Sequence, residues 1–318
     1  MTYRSVTVSG LTGIALRSGE LELVTIPALG GKVSHLRRLD GREWFWRSDV
    51  IPFRAVRPDA SYLELGDNGG WDECFPNVAP GGAPGWRDLP DHGEVWSQPW
   101  DMVVTEHDAG TTLHGVVRST SRPFELRRDI TLLRDEPVAH AAYALRNDSD
   151  VELPWVWSSH PMFNTPPGTL VDIPGLRQVR VNHALGNDVP AANDVLAWNG
   201  GVADASGRFT MPEGGRWAVK LFGDVPAERR LVVTEPVKGE RLELEIGGDV
   251  AHLGIWIESG MKTSADGTLV HRMAIEPCLG AADVLSEALA LGVVPPPLAP
   301  GEERRWSFRL RLPGRERG

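Results

Sequence analysis

Apolar and polar residues alternate with a period of two along most of this chain. Leu242-Glu243-Leu244-Glu245-Ile246 and Trp306-Ser307-Phe308-Arg309-Leu310-Arg311-Leu312 are the clearest cases. That period sends one set of side chains to a core and the other to solvent, the signature of a half-buried β-strand. Further strands are expected over 111–117, 124–132, 138–146, 153–158, 170–181, 216–222, 230–234, 253–259 and 270–276. Near the N-terminus, Val6, Val8, Leu21, Leu23 and Val24 between polar positions predict two or three strands. Pro27 to Gly31 forms a turn into another strand, Asp40-Gly41 marks a hairpin, and Glu43-Trp44-Phe45-Trp46 resumes as a strand. Only Ala281 to Leu291 reads as helical. No linker, repeat or low-complexity segment divides the chain. The expectation is one all-β domain over 1–314, a large antiparallel β-sandwich, with a frayed tail at 315–318.

The alternation fails between residues 47 and 92, a long irregular region of the kind that carries function. Asp67-Asn68-Gly69-Gly70-Trp71-Asp72-Glu73-Cys74-Phe75-Pro76 is followed by a Gly/Pro loop and then by His92-Gly93-Glu94-Val95-Trp96. Two indoles, carboxylates and an imidazole among glycines suit a sugar site. The C–H faces of a pyranose stack on Trp, and its hydroxyls bond to charged groups and amides. The alternative is a surface loop whose Trp residues tuck back into the core.

Composition narrows the function classes. The 35 glycines and 25 prolines suit many short strands and turns. A formal charge of −10 argues against a basic face for nucleic acid. Two cysteines, Cys74 and Cys278, make a disulfide framework unexpected, though the two segments that carry them are expected to converge. The N-terminus lacks the apolar core of a signal peptide, and no apolar run approaches the ~20 residues of a membrane span. A cytoplasmic protein with no membrane partner is expected.

Three histidines stand out by context: His92, His160 in Ser158-Ser159-His160-Pro161-Met162-Phe163-Asn164, and His183. Histidine titrates near neutrality and is the default general acid or base. His160 ends an aromatic strand, where the chain is expected to turn at Pro161. The competing reading is a buried histidine holding a loop carbonyl. Glu276 closes a strand expected to stop at Pro277, and burial there would raise its pKa toward that of a base working near neutrality. Asp72, Glu73 and Glu94 are candidates for holding a substrate. Gly30-Gly31 lacks the spaced glycines of a dinucleotide loop, and no G-x-S-x-G elbow, H-E-x-x-H or cysteine cluster is present. Trp155, Trp157, Trp198, Trp217 and Trp256 are core by default, with Trp155 and Trp157 open to either core or cleft.

Taken in order, these pieces resemble the aldose 1-epimerase (galactose mutarotase-like) superfamily. Ser159-His160-Pro161-Met162-Phe163-Asn164 resembles the segment around the family's catalytic histidine, and Ala274-Ile275-Glu276-Pro277 the strand of its catalytic glutamate. Asp91-His92-Gly93 with Trp96 resembles the segment of its first histidine, and Pro300-Gly301-Glu302 before the last strand is also typical. The resemblance implies a β-supersandwich and cofactor-independent mutarotation of a sugar; a monomer or homodimer is expected. Glu276 would take the anomeric proton, His160 would protonate the ring oxygen, and His92 would hydrogen-bond near it. Trp71, Asp72, Glu73, Glu94, Trp96, Asn164 and Lys220 would contact the sugar; no metal is implied. Trp71-Asp72-Glu73 and Lys220 depart from the galactose enzymes, so a phosphorylated or acidic sugar enters, with Arg54 and Arg57 as further cations. The simpler reading of Lys220 is a surface residue. A non-catalytic sugar-binding protein, or a glycosidase or lyase using two carboxylates, are the competing functions.

Overall fold

A computed structural model describes residues 2–57, 60–62, 68–119, 123–262 and 267–314. Asp67 and the tail at 315–318 lie outside them. In chain order the first strands are β1 Tyr3–Val8, β2 Leu11–Ser18, β3 Leu21–Ile26, β4 Lys32–Arg38 and β5 Gly70–Cys74. Next come β6 Gly81–Ala83, β7 Trp86–Leu89, β8 Asp101–His107, β9 Gly110–Arg118, β10 Phe124–Leu133 and β11 Val138–Asn147. The middle of the chain gives β12 Trp157–Asn164, β13 Leu170–Asp172, β14 Gln178–Leu185, β15 Val195–Ala197, β16 Arg208–Thr210 and β17 Trp217–Asp224. The last are β18 Arg230–Thr234, β19 Arg241–Ile246, β20 His252–Lys262, β21 Leu269–Leu279 and β22 Glu303–Arg311. A helix spans Leu285–Leu291, a shorter stretch than the sequence pattern suggested.

Two antiparallel sheets carry the fold. An 11-stranded sheet runs β1-β2-β3-β4-β5-β12-β21-β20-β17-β14-β15, and a 9-stranded sheet runs β16-β13-β18-β19-β22-β11-β10-β9-β8. The apolar halves of the alternating strands meet between them: Leu23, Leu36, Leu126, Ile130, Leu244, Ile255 and Leu310 are all fully buried. Each such side chain contributes roughly 1.5–3 kcal/mol by leaving water. An aromatic cluster joins the sheets. Tyr143 of β11 stacks on Trp306 of β22 at 5.5 Å, and Trp71 of β5 meets Phe308 of β22 at 5.4 Å. Trp155, Trp157 and Trp198 are buried, which assigns all three to the core. Among the described residues no helix is long and apolar enough to cross a membrane.

Both prolines expected to end strands sit inside them instead. β12 continues through Pro161 to Asn164, and β21 continues through Pro277 to Leu279. A proline has no N–H to give a ladder. β12 pairs with β21 at Ser158↔Cys278 and again at Met162↔Ala274. Counting inward from both ends sets His160 opposite Glu276, in the stretch where the two prolines sit.

Candidate active site

The outer face of the 11-stranded sheet follows from its register. Asp72 pairs with His160, Gly254 with Glu276, and Trp256 with both Ala274 and Lys220. Directly opposed residues of an antiparallel pair share a face, so Asp72, His160, Glu276, Trp256 and Lys220 point the same way. Their neighbours Trp71 and Glu73 point into the core. Above this face lies a cleft of about 630 Å³, whose walls include Tyr62, His92, His160, Lys220, Trp256 and Asp283.

Glu276 is the buried centre of the site. Lys220 Nζ donates to both of its carboxylate oxygens at 2.6 Å, and Ser158 Oγ donates to Oε2 at 2.7 Å. His160 Nε2 stands 3.7 Å from Oε1. Burial is the largest single influence on the Glu276 carboxyl and raises its pKa, but Lys220, His160 and Ser158 together outweigh it and leave the pKa below the usual 4.5. The expected upward shift is therefore corrected: the strand buries the carboxylate beside an ammonium. Burial acts to lower the pKa of Lys220, and the Glu276 and Asp283 carboxylates reverse this and raise it. Lys220 is 3% exposed, so the surface reading of it is overturned.

Asp283 was not signalled by the sequence. It precedes the helix Leu285–Leu291, and its Oδ1 lies 3.6 Å from Lys220 Nζ. Asn182 Nδ2 of β14 donates to its Oδ2 at 2.8 Å. Among the described residues its buried Oδ1 has no hydrogen-bond partner. Burial is the largest influence on its carboxyl and pushes the pKa up. His183, the third histidine singled out in the sequence, lines the same cleft.

His92 enters from the loop after β7 with φ 62°, a left-handed conformation rare outside glycine. Its Nδ1 bonds Asp91 Oδ1 at 3.1 Å. Its ring stacks on Tyr62 at 3.8 Å and meets the His160 ring edge-on at 5.2 Å. Tyr62 in turn donates its hydroxyl to Asp72 Oδ2 at 3.1 Å, and Lys32 Nζ donates to the same oxygen at 2.5 Å. Asp72 thus braces Tyr62 and, through it, His92.

Other expected sugar contacts fall elsewhere. Glu73 accepts from Arg128 at 3.0 Å, Tyr143 at 2.8 Å and Trp157 at 2.9 Å, all within the core. Trp71 is wholly buried against Phe45 and Phe308. Neither faces the cleft, because they occupy the odd positions of a strand whose even position, Asp72, does. Glu94 is tied to the Ser119 hydroxyl. Trp96 lies beneath Tyr62 and donates to the Asp91 carbonyl at 2.9 Å. Asn164 lines a separate hollow further along β12. Arg54 and Arg57 are exposed and outside the cleft wall. Ser158 has Cys74 on one side and Cys278 on the other, so the two cysteine strands lie in one sheet with β12 between them, beyond disulfide reach, which counts against the expected convergence. The thiols stand about two strand spacings, ~9–10 Å, apart and are free. No group of three or more His, Cys, Asp or Glu among the described residues is placed to hold a metal ion.

No family model matches the chain, and no curated protein matches it. Solved structures do. The YeaD protein of Salmonella typhimurium, provisionally named a mutarotase, is similar over 99% of this chain and 94% of its own, at TM-score 0.70 and 16% identity. A galactose mutarotase-like protein of Clostridium acetobutylicum is similar over 98% of each chain, at TM-score 0.68 and 15% identity. The galactose mutarotase related enzyme of Lactobacillus acidophilus covers 95% of this chain and 97% of its own, at TM-score 0.66 and 14% identity. Likeness at such identity is likeness of fold, and the fold of this chain is the galactose mutarotase-like β-sandwich.

Proposed function

We propose that the protein is an aldose 1-epimerase-type enzyme that interconverts the anomers of an aldose by acid/base ring opening. The observation that carries this reading is the pairing of His160 and Glu276, 3.7 Å apart beneath one cleft. An anomeric carbon bears two oxygens, the hydroxyl and the ring oxygen, separated by only two bonds. An acid and a base this close can each serve one of them. Glu276, ionised at neutrality, takes the hydroxyl proton while a protonated His160 gives its proton to the ring oxygen. The C–O bond opens to the aldehyde, the C1–C2 bond rotates, and reclosure returns both protons. In this reading His92, edge-on to His160 and held by Tyr62 and Asp91, hydrogen-bonds the ring oxygen. The names of the structural neighbours agree with this chemistry.

Lys220 adds a further step. The ammonium bonds both Glu276 oxygens, and in this reading the incoming hydroxyl replaces that contact on one of them. Asp283 Oδ1, 3.6 Å from the ammonium, offers it a second acceptor. A long, flexible lysine stem makes such a shift by rotamer change. Lys220 thereby holds the base ionised in the empty site and hands it to the sugar.

The test is anomer exchange by NMR over neutral, acidic and phosphorylated aldoses, with Glu276→Gln alongside. The reading expects acceleration for at least one sugar and a loss of about 10²-fold or more in kcat in the variant, with sugar binding kept. No acceleration for any sugar, with binding intact, would favour a binding protein built on this fold.

A further inference from the structure

A second hollow, of about 820 Å³, opens on the same sheet face beside the cleft; both volumes lie within the range of small-molecule sites, roughly 300–1,000 Å³. The two share a wall. Arg272 lines the cleft, and its guanidinium sits 4.1 Å over the ring of Trp46, which lines the hollow. Along β12 the cleft residue Met162 is followed two positions later by the hollow residue Asn164, and along β21 Arg272 gives way to Val270. Residues two apart on a strand share a face about 6.6 Å apart, so the hollow continues the cleft along the same strands.

Its lining is that of a neutral polar ligand site. Glu43 Oε1 accepts from the Leu36 and Phe45 amides at 2.9 and 3.1 Å. Its Oε2 is buried and, among the described residues, has no hydrogen-bond partner. Asn164 adds a side-chain amide, Trp46 a half-buried indole, and Leu269 at the rim an apolar surface 54% exposed. Charge does not select an anion: Arg47 is engaged with His35 and opposed by Asp49 and Glu43. Burial is the main cause that pushes the His35 pKa down to about 4, so its ring brings no charge at neutrality.

We propose that this hollow is a second sugar subsite, so that the aldose worked at His160 and Glu276 is the reducing-end unit of a disaccharide or longer saccharide. The inference rests on the aldose reading of the cleft. Trp46 offers its indole to the second pyranose and the Asn164 amide bonds its hydroxyls, joined by Glu43 Oε2 once a side-chain rotation turns that buried oxygen into the hollow.

The test measures binding by calorimetry and anomer exchange by NMR for glucose and galactose against maltose, cellobiose and lactose. At least one disaccharide is expected to bind about tenfold tighter than the monosaccharide at its reducing end. Leu269→Trp, which fills the hollow from an exposed rim position, is expected to erase that margin and leave monosaccharide exchange intact. Glu43→Ala is expected to reduce it as well. The proposal is overturned if no disaccharide gains over its monosaccharide, or if the gain survives Leu269→Trp. A disaccharide margin in binding without exchange of any sugar would sink the enzyme reading and leave the subsite standing.

Discussion

Replacing Lys220 by methionine keeps the length of the side chain and removes its charge, leaving the fully buried Glu276 with Ser158 and His160 alone. Removing one member of a buried ion pair costs about 3–5 kcal/mol, because the remaining charge stays desolvated without its partner. Glu276 can escape part of that by taking up a proton, so the cost depends on pH, and the sign of the dependence is diagnostic. In the wild type the folded pKa lies below the usual 4.5. Its stabilising contribution is therefore complete above that value and is lost as the pH falls through the folded pKa. In Lys220→Met the effect of burial prevails and the folded pKa rises above the unfolded one. The contribution is then complete below the unfolded pKa and is lost as the pH rises, so acidifying from 7 to 5 narrows the gap to wild type. Urea unfolding reads both effects. With m of about 3 kcal/mol per M, the midpoint at pH 7 moves down by roughly 1–1.7 M. Glu276→Gln added to Lys220→Met recovers most of the loss, since no unpaired charge remains. A cost below about 1 kcal/mol at pH 7, with an unchanged pH response, would refute the claim that Lys220 keeps Glu276 ionised.

Three more outcomes are expected. Burial is the main cause that lifts the Glu73 carboxyl to about 7, from 4.5. Its contribution to stability is complete below 4.5 and is lost as the pH rises through 7, so Glu73→Gln flattens that part of the stability profile in urea unfolding. Cys74 and Cys278 are buried, and burial is the main cause raising both thiols. Iodoacetamide at pH 8 labels neither in the folded protein and both in urea, by mass spectrometry; labelling of the folded chain would contradict their burial. Asp283→Asn removes the charged acceptor that Lys220 needs when a sugar displaces it, so kcat/KM for anomer exchange falls by about tenfold or more. Unchanged kinetics would show that the ammonium leaves by another route.

The sequence made the strands legible where one face is wet, because only there does polarity alternate. The expected strand over 230–234 matches β18 to the residue for this reason, and the alternation over 242–246 falls within β19. β5 was missed because both of its faces are covered: all five residues from Gly70 to Cys74 are buried, and polar side chains project from each face. What makes that tolerable is remote in sequence. Asp72 is matched by Lys32, and Glu73 by Arg128, across 40 and 55 residues. Without those partners in view, Trp71-Asp72-Glu73 reads as one cluster of sugar contacts, whereas a strand must divide it between cleft and core.

The same logic explains Lys220. A lysine within Trp217-Ala218-Val219-Lys220-Leu221 looks like the exposed exception in an apolar strand, since lysine is almost never fully buried unless paired. Its pair, Glu276, lies 56 residues away. An ammonium and a carboxylate buried in apolar strands are each costly alone. That cost is itself the signal: in a chain with so apolar a pair of strands, the one lysine and the one glutamate that have no business in them are best explained by each other. The geometry then asks why the fold keeps an ion pair where two apolar side chains would pack as stably. On the proposed aldose 1-epimerase reading, Asp283, a second acceptor 3.6 Å from the same ammonium, supplies the reason. A pair that can be parted and re-formed at a neighbouring carboxylate exposes a base on demand, which a static core contact cannot do.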